Sequence, residues 1–86
     1  MYNIIERYMN LLKKEQVQEF ALRNNVFLSE EELDFTYNFI KKNYKDIIKN
    51  PNLFNIDRYQ NKYSKENFKK IKELYSAYIG KYSRYL

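Results

Sequence analysis

Apolar side chains recur along this chain at helical spacing, and strict alternation with polar residues, the mark of a half-buried strand, is absent. Between about residues 2 and 12, Ile4, Ile5, Tyr8, Leu11 and Leu12 fall at i, i+1, i+4, i+7 and i+8, one helical face. A second helix over about 14–24 groups Val17, Phe20 and Ala21. Asn24-Asn25 is a fitting stop for it, because asparagine tolerates the left-handed conformation that closes helices. The third helix, over about 29–48, has the sharpest start. Ser29 is followed three residues later by Glu32, the spacing of a capping box, with Leu28 and Leu33 placed as a hydrophobic staple. Glu30, Glu31, Glu32 and Asp34 crowd its first turns and Lys41, Lys42 and Lys45 its later ones, the order that suits the helix dipole. Leu33, Tyr37, Ile40 and Tyr44 form one stripe and Phe35 with Phe39 a second, as a central helix requires.

Asn50-Pro51 is the next break, since proline cannot continue a helix but suits the first position of a new one with asparagine as its cap. A fourth helix over about 51–63 would carry Leu53, Phe54, Ile56 and Tyr59, although Asn52, Asn55 and Asn61 weaken it. Ser64 caps the last helix, over about 65–84. There Phe68, Ile71, Tyr75, Tyr78, Tyr82 and Tyr85 step by 3, 4, 3, 4 and 3, an a/d seam widened by Leu74 and Ile79. Gly80 lies off that seam; it either sits on the exposed face or ends the helix early. The expected fold is therefore all-α, a compact bundle of four to five helices in a single domain, residues 1–86.

Composition explains how so short a chain folds. A chain of this length buries only about 60–65% of its unfolded surface. Phe and Tyr supply 16 of the 86 residues, while alanine occurs only at Ala21 and Ala77 and tryptophan not at all. Each buried ring removes roughly 150–250 Å² from water, so the rings carry much of the packing.

Absent residue types then narrow the chemistry. Without cysteine there is no disulfide, thiolate nucleophile or cysteine metal site. Without histidine the commonest general base and metal ligand are missing too. One glycine rules out a glycine-rich phosphate loop. The acids at 30, 31, 32 and 34 are mostly adjacent and spread around the helix rather than converging on one point, so they read as a charged first helical turn and not as a cation site. No catalytic, cofactor-binding or metal-binding residue is expected. The N-terminal stretch carries acid and base within its apolar positions and resembles neither a signal peptide nor a membrane span; the expected location is the cytoplasm.

The net charge is +5 with a pI near 9.3, a balance compatible with nucleic acid or an anionic surface. Lys, Asn, Tyr and Ile, all with AT-rich codons, make up 41 of the residues, so a biased genome alone can raise the pI. The second and third helices, read as helix-turn-helix, would present four acids to the major groove, where a polyanion repels them. A better nucleic-acid face is the outer side of the last helix, where Lys65, Lys69, Lys70, Lys72, Lys81 and Arg84 could line phosphates. The seam of Phe68, Ile71, Tyr75, Tyr78, Tyr82 and Tyr85 is instead a candidate for pairing with a partner helix or a second copy, or for packing on the chain's own helices. A membrane-surface role is unsuited to so tyrosine-rich a face.

One resemblance adds to this. Leu12 with Glu15, Gln16 and Val17, then Phe20-Ala21, Asn24-Asn25, Leu28-Ser29 with Glu32, and Asn52-Leu53-Phe54 resemble an uncharacterised family of small cytosolic proteins from low-GC Gram-positive bacteria, over about residues 11–80. The resemblance implies a helical, intracellular protein and no assigned activity. Taken together, the expectation is a non-enzymatic helical protein that mediates protein–protein interaction or self-association. The alternative is nucleic-acid binding through the lysine-rich face of the C-terminal helix.

Overall fold

A computed structural model describes the backbone of residues 2–50 and 54–82 and the side chains of residues 4–50 and 54–77. Four α-helices, α1 (Tyr2–Leu11), α2 (Lys14–Arg23), α3 (Glu30–Lys49) and α4 (Lys65–Tyr82), are joined by a 3-10 helix, Ile56–Lys62, between α3 and α4. No strand occurs among the described residues, so the fold class is all-α. The chain divides into two compact units, Met1–Lys45 and Asp46–Leu86, with the boundary inside α3.

In the first unit the local signals act as their chemistry dictates. The Ser29 hydroxyl accepts from the Glu32 backbone N–H at 3.1 Å and the Glu32 carboxylate accepts from the Ser29 N–H at 2.8 Å, closing the capping box. Leu33 is buried and Leu28 packs on the same cluster, as a staple requires. At the end of α2, Asn25 takes φ 61°, in the left-handed region. Val26 N–H then donates to the Ala21 carbonyl at 2.8 Å and Asn25 N–H to that of Leu22 at 3.0 Å, a complete Schellman closure. The two residues that this closure brings together are both buried, Val26 only 1% exposed and Ala21 7%. α2 begins on a feature the sequence reading passed over: Gln16 reaches back so that its side-chain oxygen accepts from the Lys13 N–H at 2.8 Å.

Leu12, Val17 and Leu33 form the core of this unit, with Met9, Leu28, Tyr37 and Ile40 packed against it. Tyr44 is buried too, so the stripe read from Leu33 to Tyr44 is the inner face of α3. The second stripe is half-buried, with the rings of Phe35 and Phe39 stacked at 5.8 Å.

The second unit departs from expectation in one element. The helix expected over 51–63 is a 3-10 helix of seven residues, beginning five residues later. The Asn50-Pro51 start falls on residue 51, outside the described residues. Asn55 provides the actual cap, its side-chain oxygen accepting from Asp57 N–H at 3.0 Å. Tighter winding suits this segment because its apolar residues recur every third position, Ile56 and Tyr59, while Asp57, Arg58, Gln60, Asn61 and Lys62 are exposed. Ser64 caps α4, its hydroxyl accepting from Asn67 N–H at 3.1 Å, and the helix continues through Gly80 to Tyr82.

Candidate functional site

α4 carries most of the residues first suspected of function. Of the cationic set, Lys65 and Lys69 are exposed. Lys70 lies 3.6 Å from Glu66 one turn earlier, and Lys72 lies 2.7 Å from Asp57 on the 3-10 helix. The side chain of Lys81, and Arg84 altogether, are outside the described residues. Lys69 and Lys72 share an open groove with Glu73 and Ser76. Two of the expected phosphate ligands are thus paired with carboxylates of their own unit, and Glu73 lines the same groove as Lys69 and Lys72.

The seam residues that can be followed turn inward. Phe68, Ile71 and Tyr75 are half-buried. Tyr75 packs on Phe54 at 5.1 Å, Phe54 stacks on Tyr59 at 5.7 Å, and Phe68 meets Tyr63 at 6.4 Å. Burial pushes the Tyr75 phenol above its ordinary 10.0, because the cluster disfavours a phenolate. Here the seam packs within its own unit. The side chains of Tyr78 and Tyr82, and Tyr85 altogether, are outside the described residues.

A surface not singled out in the sequence is exposed instead. α3 holds α1 by three side chains one turn apart. Tyr37 donates its hydroxyl to the Leu12 carbonyl at 3.1 Å. The Lys41 ammonium donates to the Met9 and Asn10 carbonyls at 3.0 and 3.2 Å, and Lys45 pairs with Glu6 at 3.2 Å. Rising positions on α3 meet falling positions on α1, so the two helices run antiparallel. Lys41 supplies a cation to the carbonyl end of α1, where the dipole favours it, and lies 5.8 Å from the centre of the Tyr37 ring. This ladder fixes how α1 is rotated.

In that rotation Leu12 is buried and Ile5 and Met9 are half-buried, while Ile4, Tyr8 and Leu11 are 72%, 59% and 70% exposed. The single apolar face expected of α1 is therefore two adjacent stripes, of which only one is covered. The signal was present in the spacing: 4, 5, 8, 9, 11 and 12 make a band wider than one neighbouring helix can hide. Charged side chains on α1 are few; Glu6 is engaged by Lys45, and Arg7 is exposed.

Charge is divided unequally between the units. Met1–Lys45 has seven Lys or Arg against seven Asp or Glu, whereas Asp46–Leu86 has nine against four. The whole net charge of +5 thus belongs to the second unit, and the exposed stripe belongs to the neutral one. Among the described residues no cluster of acids is arranged to hold a metal ion, and no helix is long and apolar enough to cross a membrane. Compared with known protein families, curated proteins and solved structures, the chain matches none.

Proposed function

We propose that this is a non-enzymatic protein-interaction module whose docking surface is the outer face of α1. The observation that carries the reading is the exposure of Ile4, Tyr8 and Leu11 at 72%, 59% and 70% on one side of a helix whose other side is anchored. Isolated exposed apolar residues are ordinary on protein surfaces; an aligned set on a helix bonded to its neighbour along the other side favours a partner. A bacterial cytosolic location is proposed separately, on the resemblance over residues 11–80.

A photo-crosslinking residue at Tyr8, in cells producing the protein, tests the reading. Covalent protein adducts are expected there and not when the same residue replaces Gln18, which is exposed on α2. Equal labelling at both positions, or none at Tyr8, rejects the α1 face as a docking surface.

A further inference from the structure

We infer that α1 is a latch: it opens as a unit between Leu12 and Lys13 while α2 and the facing part of α3 stay folded. Burial within the first unit is uneven. α2 buries Val17 and Ala21, and α3 buries Glu32, Leu33 and Tyr44, whereas none of residues 4–11 on α1 is buried. A segment that hides little apolar surface opens at lower free energy than the core beside it. α1 is held instead by the side-chain ladder that Tyr37, Lys41 and Lys45 extend from α3.

The hinge leaves its neighbours intact. Lys13 is extended, with φ −110° and ψ 154°, and α2 closes its own first turn there. The Gln16 side chain accepts from the Lys13 N–H at 2.8 Å, and the Lys13 carbonyl accepts from the Gln16 N–H at 3.0 Å. α2 and α3 are joined without α1 as well, by the Lys14–Asp34 ion pair and by Val17 and Leu33 in one buried cluster. Leu12, buried in that same cluster, is the pivot. Open, α1 carries Ile5 and Met9 into solvent beside Ile4, Tyr8 and Leu11, so it offers a partner the whole apolar band where the closed helix offers only the outer half.

Amide hydrogen exchange of the full chain, followed by NMR where rates report the opening equilibrium, tests the latch. The amides of residues 6–11, which have carbonyl partners inside α1, should share one opening equilibrium. Corrected for intrinsic rates, they should exchange about tenfold or more faster than those of residues 34–44. Val26→Ala weakens a core that stays folded when α1 is open, so it should speed the α3 amides about tenfold and leave those of α1 within about twofold. Asn25→Ala, a milder change at the same turn, should separate the two sets in the same sense. Lys41→Met destabilises the closed state alone and should speed both sets by one factor. Equal protection of α1 and α3, or equal acceleration of both by Val26→Ala and Asn25→Ala, overturns the latch. Protection that fades smoothly toward Tyr2 overturns it too, because that is end fraying. These rates need no partner, so an absence of crosslinks at Tyr8 would reject the interaction reading and leave the latch standing.

Discussion

Asn25 shows what one residue can decide. Its φ of 61° is a conformation in which a Cβ is unfavourable, and asparagine is among the few non-glycine residues that adopt it routinely. Asn25→Ala should therefore lose about 1 kcal/mol, whereas Asn25→Gly should stay within about 0.5 kcal/mol of the native protein; urea unfolding of the three proteins separates these outcomes. Lys14 gives a second residue-scale test. The Asp34 carboxylate accepts its hydrogen bond and holds the Lys14 ammonium above its ordinary 10.5, with desolvation opposing and the Asp34 charge adding to the rise. A lysine whose folded value is raised stabilises the fold fully below about pH 10.5, and that contribution is lost as pH rises through the folded value. Side-chain NMR of Lys14 should show late deprotonation, and Asp34→Asn should bring it back toward 10.5. An unchanged titration in Asp34→Asn would mean that the pair does not persist in solution.

At the scale of elements, what is local and what is tertiary separate cleanly. The capping box of α3 and the asparagine stop of α2 were readable because each is closed by hydrogen bonds spanning at most five residues. The 3-10 helix was read as an α-helix because its proline-led start and scattered apolar residues resemble a weak helix, and nothing local excluded one. The lysines of α3 were read as partners of its own dipole. Lys41 and Lys45 serve α1 instead, across bonds to residues 31 to 39 positions away. Each rung of this ladder should contribute to stability. Tyr37→Phe removes one neutral hydrogen bond and is expected to lose about 1 kcal/mol; Lys41→Met, which strips the α1 carbonyl end of its cation, about 1–2 kcal/mol. The double variant should lose about the sum of the two, because phenylalanine keeps the ring over which Lys41 lies and the two bonds have separate acceptors. Full additivity in a denaturant series would show that the rungs act independently.

On the scale of the molecule, the division of charge between the units makes the two functional readings distinguishable by salt. Docking of a partner on the apolar stripe of α1 buries apolar surface, so the yield of crosslinks at Tyr8 should change less than about twofold between 50 and 500 mM NaCl. A contact through the lysines of α4 to a polyanion would instead weaken steeply over the same range. Steep salt dependence would therefore move the function to the second unit and restore the nucleic-acid alternative.

The sequence by itself determined the helical class, the places where α2 stops and α3 and α4 start, and the exclusion of histidine and cysteine chemistry. All of these follow from residue identity or from hydrogen bonds closed within one or two turns. Only the tertiary structure decided how α1 is rotated, and with it which of two apolar stripes is hidden. That choice rests on Tyr37, Lys41 and Lys45 reaching residues 25 to 39 positions distant in the chain, a distance at which spacing no longer predicts contact. The apolar band that the sequence presents as one helical face is, in its outer half, the surface on which the function is proposed.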